Sequence, residues 1–337
     1  MQPARIGFRL PRVGSTVRAF VVLGVLLVIY AFVQPPLLAS STFTTILNES
    51  MVVALAAVGE TVVVTTGGFD LSVGAALSVV NVVLATHAWG STIGQIAMIP
   101  VGVGVGIGIG TVNGLLVAVL RIPSIAATLA TSFFWGGVAL LILRQPGGAI
   151  PLDFVNWFTA DWGSVPSATA VLLFAAAAWL VLKRTRFGRA LFSTGGNRTA
   201  AAVNGINVGR TLIGAYAVSG FFYGLAGVFL SAESASGDPN IGAPVLLTVF
   251  AAVVVGGTPF GGGRGDALGS IAGAFILTMI ANVLFALGVS SFYTNIFNGG
   301  VLIVAVLASS MTSGWLAPLR RAAGAWRRRT GLAGAGG

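Results

Sequence analysis

Apolar stretches of roughly twenty residues recur along the whole chain, separated by short polar turns. A helix that crosses the hydrocarbon layer of a bilayer needs about 20 apolar residues. On that rule the pattern predicts spans near 15–33, 44–65, 70–89, 93–120, 124–143, 167–182, 211–231, 243–257, 267–288 and 294–310. The first and sixth are short. The stretch 243–257 is too short to cross cleanly, so a broken or re-entrant segment is expected there. One stretch, VGVGVGIGIGTVNG (101–114), alternates glycine with β-branched residues as a strand does in water. A lone strand in lipid leaves its backbone unpaired, so helix is expected here too. Gly102, Gly106 and Gly110 recur at four-residue spacing, as do Gly104 and Gly108, which predicts close helix packing. The expected fold is all-α, a polytopic integral membrane protein with about ten transmembrane helices. Breaks are expected near 65–70 and 243–265.

Composition agrees. Of the 337 residues 56% are hydrophobic and 8% charged, with a mean hydropathy of +0.96. Soluble domains carry about a quarter charged residues, so no aqueous surface is covered by so few. Cysteine is absent, which excludes disulfides and thiolate chemistry. The single histidine, His87, reads as an interfacial structural residue. No catalytic group, cofactor or metal is expected.

The net charge of +10 raises nucleic acid as a partner, but the basic residues lie in loops between apolar segments. With ten spans, all of the 18 basic residues except Arg144 fall on one side. The positive-inside rule then places both termini in the cytoplasm, and membrane lipid, not nucleic acid, is the expected surrounding. The opposite side carries Asp153, Asp161, Glu233 and Asp238. Arg5, Arg9, Arg12 and Arg18 precede 19–33 as in a signal peptide, but PPLLASS is a poor cleavage site, so an uncleaved first span is expected. The predicted divisions are a cytoplasmic arm (1–14), one transmembrane domain (15–310) and a basic cytoplasmic tail (311–337). Outside the membrane, DFVNWFTADWGSVP gathers Phe154, Trp157, Phe158 and Trp162 as interfacial aromatics do, on a short surface helix; a gate is the other reading.

The polar exception is TGGFDLSVG (66–74), set inside VVVTTGGFDLSVGAALSVV. A carboxylate at a bilayer's centre costs roughly 2.5–3.5 kcal/mol on insertion scales. Gly67 and Gly68 are expected to end one helix, and Asp70 to cap the next by accepting from the N–H of Ser72 or Val73. A helix broken at this depth exposes polar backbone, which is tolerated against protein or a water-filled cavity. Capping and a cavity wall are compatible roles. The stretch has an echo in VVVGGTPFGGGRGDALGS (253–270), which either duplication or low-complexity membrane sequence produces. Glycine-interrupted segments in two halves point to a transport site.

GGFDLSVG resembles the GGIDLSVG signature of inner-membrane permeases of ABC importers of the ribose, xylose and autoinducer-2 type. The resemblance continues through NGLLVAVLRIPSIAATLAT (113–131), RTRFGRALFSTGGNRTAAAVNGINV (184–208) and AAVVVGGTPFGGG (251–263), in the family's order. It implies a multi-pass permease of a bacterial inner membrane, translocating a sugar or sugar-like solute. The implied partners are a cytoplasmic ATP-binding cassette subunit, a periplasmic sugar-binding protein, and a second copy or a second, similar permease. The family commonly carries an acidic pair in the stretch leading into AAVVxGGT; here it reads PVLLTVF (244–250).

From the residues themselves, loop 183–210 is the longest candidate for a docking surface. Asn197 is placed to cap a short helix, RTAAAVN, that Gly205 ends. In the family this loop is the coupling element, so Asn197, Arg198, Ala200, Ala201 and Gly205 are carried as ATPase-coupling residues. The chain has no nucleotide site of its own: a P-loop requires G-x-x-x-x-G-K-[ST], and the only lysine, Lys183, lacks that framework. Gly68, Asp70, Ser72 and Asn113 at the first break, with Gly256, Gly257 and Thr258 at the second, are the expected substrate pathway. The competing reading is an ion- or proton-coupled secondary transporter that uses Glu60 and Asp70 as intramembrane acids.

Overall fold

In a bilayer the backbone satisfies itself only in helices or closed barrels, and helix is what forms. A computed structural model of the chain describes residues 14–33, 40–163 and 165–289, with scattered helical positions between 293 and 303. In order the elements are α1 (Ser15–Val33), α2 (Ser40–Thr65), α3 (Val73–Ala85), α4 (Thr92–Ala118), α5 (Ser124–Ile142) and α6 (Leu152–Thr159). Two short strands, β1 (Asp161–Trp162) and β2 (Val165–Pro166), form a hairpin. Then follow α7 (Ser167–Arg184), α8 (Arg186–Gly196), α9 (Arg198–Val203), α10 (Val208–Ser234), α11 (Val245–Val255) and α12 (Ala267–Ala286). The predicted span 294–310, the tail 311–337 and all of the arm 1–14 except Gly14 lie outside the residues described in full.

Helices α1, α2, α4, α5, α7, α10 and α12 are long and apolar enough to cross a membrane. Helices α3 and α11 are apolar but short. At 1.5 Å per residue they reach about 20 and 16 Å, against a hydrocarbon layer of about 30 Å. Neither is long enough to cross that layer alone, and each adjoins a glycine-marked break: α3 begins at one and α11 ends at the other.

Helices α2 and α10 form the centre. Helix α10 packs on α4, α2 and α3, while α12 packs on α2, α11 and the peripheral α1. The α4–α10 contact is backbone on backbone: a Cβ at Gly106 would collide with Gly220 and Gly224, and one at Gly110 with the carbonyl of Tyr216. Gly104 and Gly108 do not share this role. Open space surrounds both, because residues two apart on a helix point to roughly opposite sides.

The loops sort to two ends. At one, Gly147 and Gly237 exchange backbone hydrogen bonds, Ala149 N–H donates to the carbonyl of Ala85, and Ile150 N–H to that of Ala235. The start of α2 joins them, with Thr44 Oγ1 donating to Asp161 and Asn48 to the carbonyl of Thr159. The helix expected near residue 154 is α6, but its aromatics do not all face outward. Phe154 and Phe158 are buried, and Phe158 meets Phe229 of α10 edge-on at 6.0 Å between ring centroids. Apolar surface supplied by α10 outcompetes the interface for those rings; Trp162 alone of the four stays well exposed. The arginine-rich stretch 183–210 is more ordered than the single short helix expected of it, folding as α8 and α9.

Candidate functional site

Helix α2 stops where Gly67 takes φ +75°, a backbone region that glycine enters without penalty. Gly67 N–H donates to the carbonyl of Val64 and Gly68 N–H to that of Val63, at 2.9 and 3.3 Å. This is the paired closure of a Schellman motif. Asp70 then accepts from Ser72 N–H at 3.0 Å and from Ser72 Oγ at 2.6 Å. The expected hydrogen bond is present, although the N-cap position itself is Ser72.

Around this turn the side chains of three more helices converge. Asn113 of α4 donates its amide to Asp70 and, at 2.7 Å, to Ser72 Oγ, while its own oxygen accepts from Thr131 of α5 at 2.7 Å. Thr128 and Ser124 of α5 accept from the N–H groups of Leu71 and Phe69. Tyr216 of α10 donates to the carbonyl of Phe69 at 3.0 Å. Glu60, one turn above the end of α2, takes the N–H of Asp70 on one oxygen and the hydroxyl of Tyr223 on the other. Glu60, Asp70, Ser72 and Asn113 are fully buried. Every carboxyl oxygen in the cluster thus has a hydrogen-bond partner, which is what a buried polar group requires. Both acids thus pin the broken turn to α4 and α10. Among the described residues the ion pair found is Lys183–Asp266, at 3.2 Å, away from this cluster.

The second break repeats the first in its hydrogen bonds. Gly257 has φ +90°, and the N–H groups of Gly257 and Thr258 donate to the carbonyls of Val254 and Val253. Asp266 caps α12, accepting from Leu268 N–H at 3.1 Å and from Trp179 at 2.7 Å. The sequence echo is therefore an echo of local structure. The approach to α11 is re-entrant: residues 236–242 run down beside α3. Asn81 bonds the carbonyl of Ser236 and the N–H of Asp238, Ser78 accepts from Gly242 N–H, and Gly242 touches Gly74.

The structure joins Asp70, Ser72 and Asn113 directly, with Gly68 beneath the hydroxyl of Tyr216. Gly256 and Gly257 are not in that cluster. Gly256 packs on Gly269 of α12 and Gly257 on Ser15 of α1, while the buried Thr258 accepts from Asp266 N–H. What brings the two breaks together is apolar. Phe69 lies 5.2 Å from Phe260 and 6.1 Å from Phe250, measured between ring centroids. Sequence reasoning missed Tyr216, Tyr223, Ser124, Thr128, Thr131 and these rings. For Ser124, Thr128 and Thr131 the signal was their spacing, one polar face on an apolar helix; nothing comparable marked the tyrosines or the rings.

On the arginine-rich end, Asn197 ends α8 and caps α9, accepting from Ala200 N–H at 3.0 Å. Gly205 closes α9 with φ +81°. Asn197, Arg198 and Ala200 are exposed, Ala201 is buried, and Val203 of α9 presents an apolar side chain 83% exposed. Beside α9 a cavity of about 630 Å³ is lined by Arg121, Arg198, Leu212 and Ser124 among others. Ser124 thus connects the cavity to Phe69. No group of three or more potential metal ligands occurs among the described residues.

Residues 42–306 match the family described as branched-chain amino acid transport system / permease component. Among curated proteins, the ribose import permease protein RbsC of Bacillus subtilis is 37% identical over 86% of this chain and 90% of its own length. RbsC of Escherichia coli K12 is 33% identical over 87% of this chain and 93% of its own, and the galactose/methyl galactoside import permease protein MglC of the same strain is 32% identical over the same shares. No solved structure matches the chain. A multi-pass helical bundle, a polar break built from GGFDLSVG and a family match across most of the length agree: the chain belongs to this family of permease components.

Proposed function

We propose that this chain is the membrane-spanning subunit of a bacterial importer for a sugar or sugar-like solute. A periplasmic binding protein delivers the solute, and a separate ATP-binding subunit supplies the energy. The similarity to ribose and galactose permeases supports the substrate class. The observation that supports the mechanism is the fully buried Asp70–Ser72–Asn113 cluster at a helix break, whose turn is hydrogen-bonded through Phe69 N–H to Ser124, a residue that also lines a cavity beside the exposed helix α9. Intramembrane polar groups of this kind face bundle interiors and solute paths.

In this reading Gly68, Asp70, Ser72, Asn113, Gly256, Gly257 and Thr258 border the route, either as lining or as the backbone of the breaks. Asn197, Arg198, Ala200, Ala201 and Gly205 present α9 to the ATPase. Both termini and 183–210 are cytoplasmic; 144–166 and 232–242 are periplasmic. Two permeases, identical or similar, enclose the path, and residues 15–310 act as one transmembrane domain between a short arm and a basic tail.

The test is uptake by proteoliposomes holding the permease, its ATPase and its binding protein, offered a panel of labelled pentoses and hexoses. ATP-dependent uptake of a panel member is expected. Uptake that ignores the ATPase and follows an ion gradient instead would sink the proposal in favour of a secondary transporter.

A further inference from the structure

The two helix breaks and the α8–α9 elbow meet at one point, and they meet backbone to backbone. Gly263 N–H, from the second break, donates to the carbonyl of Thr65, the last residue of α2, at 2.9 Å. Gly195, the penultimate residue of α8, lies directly over that bond. A Cβ there would strike the Thr65 carbonyl and come within 2.5 Å of Gly263 N. Two more contacts close the knot: a Cβ at Gly262 would reach Gly67 at 2.8 Å, and one at Gly263 would reach Gly196 at 2.7 Å.

The elbow itself is stiff. Asn197 donates its N–H to the carbonyl of Ser193, closing α8, while its side chain opens α9. Helix α8 is anchored at its start by Thr185, which accepts from Gly188 N–H, and buries Gly188, Leu191 and Thr194 along one face. A displacement of α9 has no slack segment in which to dissipate before it reaches Gly195. Beyond Gly195 lie the breaks, and across them the rings of Phe69, Phe250 and Phe260.

We infer that Gly195 is a positioning residue for transport: its close contact with the Thr65–Gly263 bond carries motion of α9 to both helix breaks at once. The inference rests on α9 being the ATPase-docking helix. Packed elements with backbone contacts shift between discrete arrangements rather than deforming smoothly, so one contact suffices to move Phe69 and Phe260 together. A glycine is required because any larger residue holds α8 off the bond.

The neighbouring glycine supplies the control. Gly196 occupies the same helix end, but a Cβ there meets nothing within 4 Å. Gly195→Ala and Gly196→Ala are compared in proteoliposomes containing the whole complex, with uptake, ATP hydrolysis and ATPase association measured on the same preparations. Gly196→Ala should match the parent. Gly195→Ala should associate and hydrolyse ATP normally while uptake falls on the order of tenfold, within the range of coupling changes seen along packed networks. Unaltered uptake in Gly195→Ala, or a loss shared equally by Gly196→Ala, overturns the inference. So does a loss in step with association or thermal stability, since that marks a contact that merely holds the fold. If even the parent takes up solute without its ATPase, the reading of α9 fails too, and that result is distinguishable because it precedes any mutation.

Discussion

Asn113 donates its amide to both carboxylate oxygens of Asp70, at 3.2 and 3.4 Å, joining α4 to the turn that starts α3. Because Asn113 also accepts from Thr131, its orientation is set from outside the pair. Asp70→Ala strips the acceptor from Ser72 N–H, Ser72 Oγ and the Asn113 amide together. An orphaned buried donor costs about 1–3 kcal/mol, so a lowered unfolding temperature in detergent and a loss of uptake are expected. Asp70→Asn keeps one oxygen for Ser72 and should retain transport. Loss of uptake in Asp70→Asn at normal expression would show that the charge, not the hydrogen bonding, is what transport requires.

The glycines of α4 divide by face. Gly106→Leu forces a side chain into the backbone of Gly220 and Gly224, and overpacking of this kind costs about 1–3 kcal/mol or more. Gly104→Ala fills open space and gains the helix preference of alanine, up to about 1 kcal/mol. Thermal unfolding of the two variants should move in opposite directions; equal shifts would contradict the α4–α10 interface.

Gly205 turns the chain at φ +81° with no atom within 4 Å of where its Cβ would lie. The Cβ of Gly205→Val therefore meets no clash, and the change acts through backbone strain, about 1–2 kcal/mol for a left-handed residue that is not glycine. Strain on the exit of α9 should leave insertion and expression intact, weaken ATPase association in pull-down, and abolish uptake. Full uptake with the ATPase bound would remove α9 from the coupling role.

Sidedness is open to direct labelling because the chain lacks cysteine. Ala200→Cys on α9 and Trp162→Cys in the β1–β2 hairpin are both at exposed positions. An impermeant maleimide added to intact cells should reach Trp162→Cys and spare Ala200→Cys. The reverse pattern would invert the topology.

The Thr65–Gly263 bond explains a limit of reading the chain linearly. Each break is legible locally: glycine at the helix stop and aspartate at the next start are choices that backbone conformation forces on the residue concerned. So were seven of the spans, the cap at Asn197 and the stop at Gly205, because each depends on a local run of residues; the span expected at 70–89 instead folds as the short α3, and 294–310 lies outside the residues described in full. Burial of Phe154 and Phe158 was not legible, since an aromatic ring at a helix surface is suited equally to lipid headgroups and to α10.

By itself the sequence determined that this is a helical membrane protein with two glycine-marked helix breaks, because hydropathy, glycine and capping residues act over short range. Only the tertiary structure decided which polar groups answer one another: that Tyr223 donates to Glu60, that Asn113 and Thr131 complete the Asp70 turn, and that Gly195 rests on a bond between two distant breaks. The physical reason is that a hydrogen bond or a close backbone contact depends on where packed helices place their atoms, to within a few tenths of an ångström. That placement is a property of the whole bundle, not of any one segment.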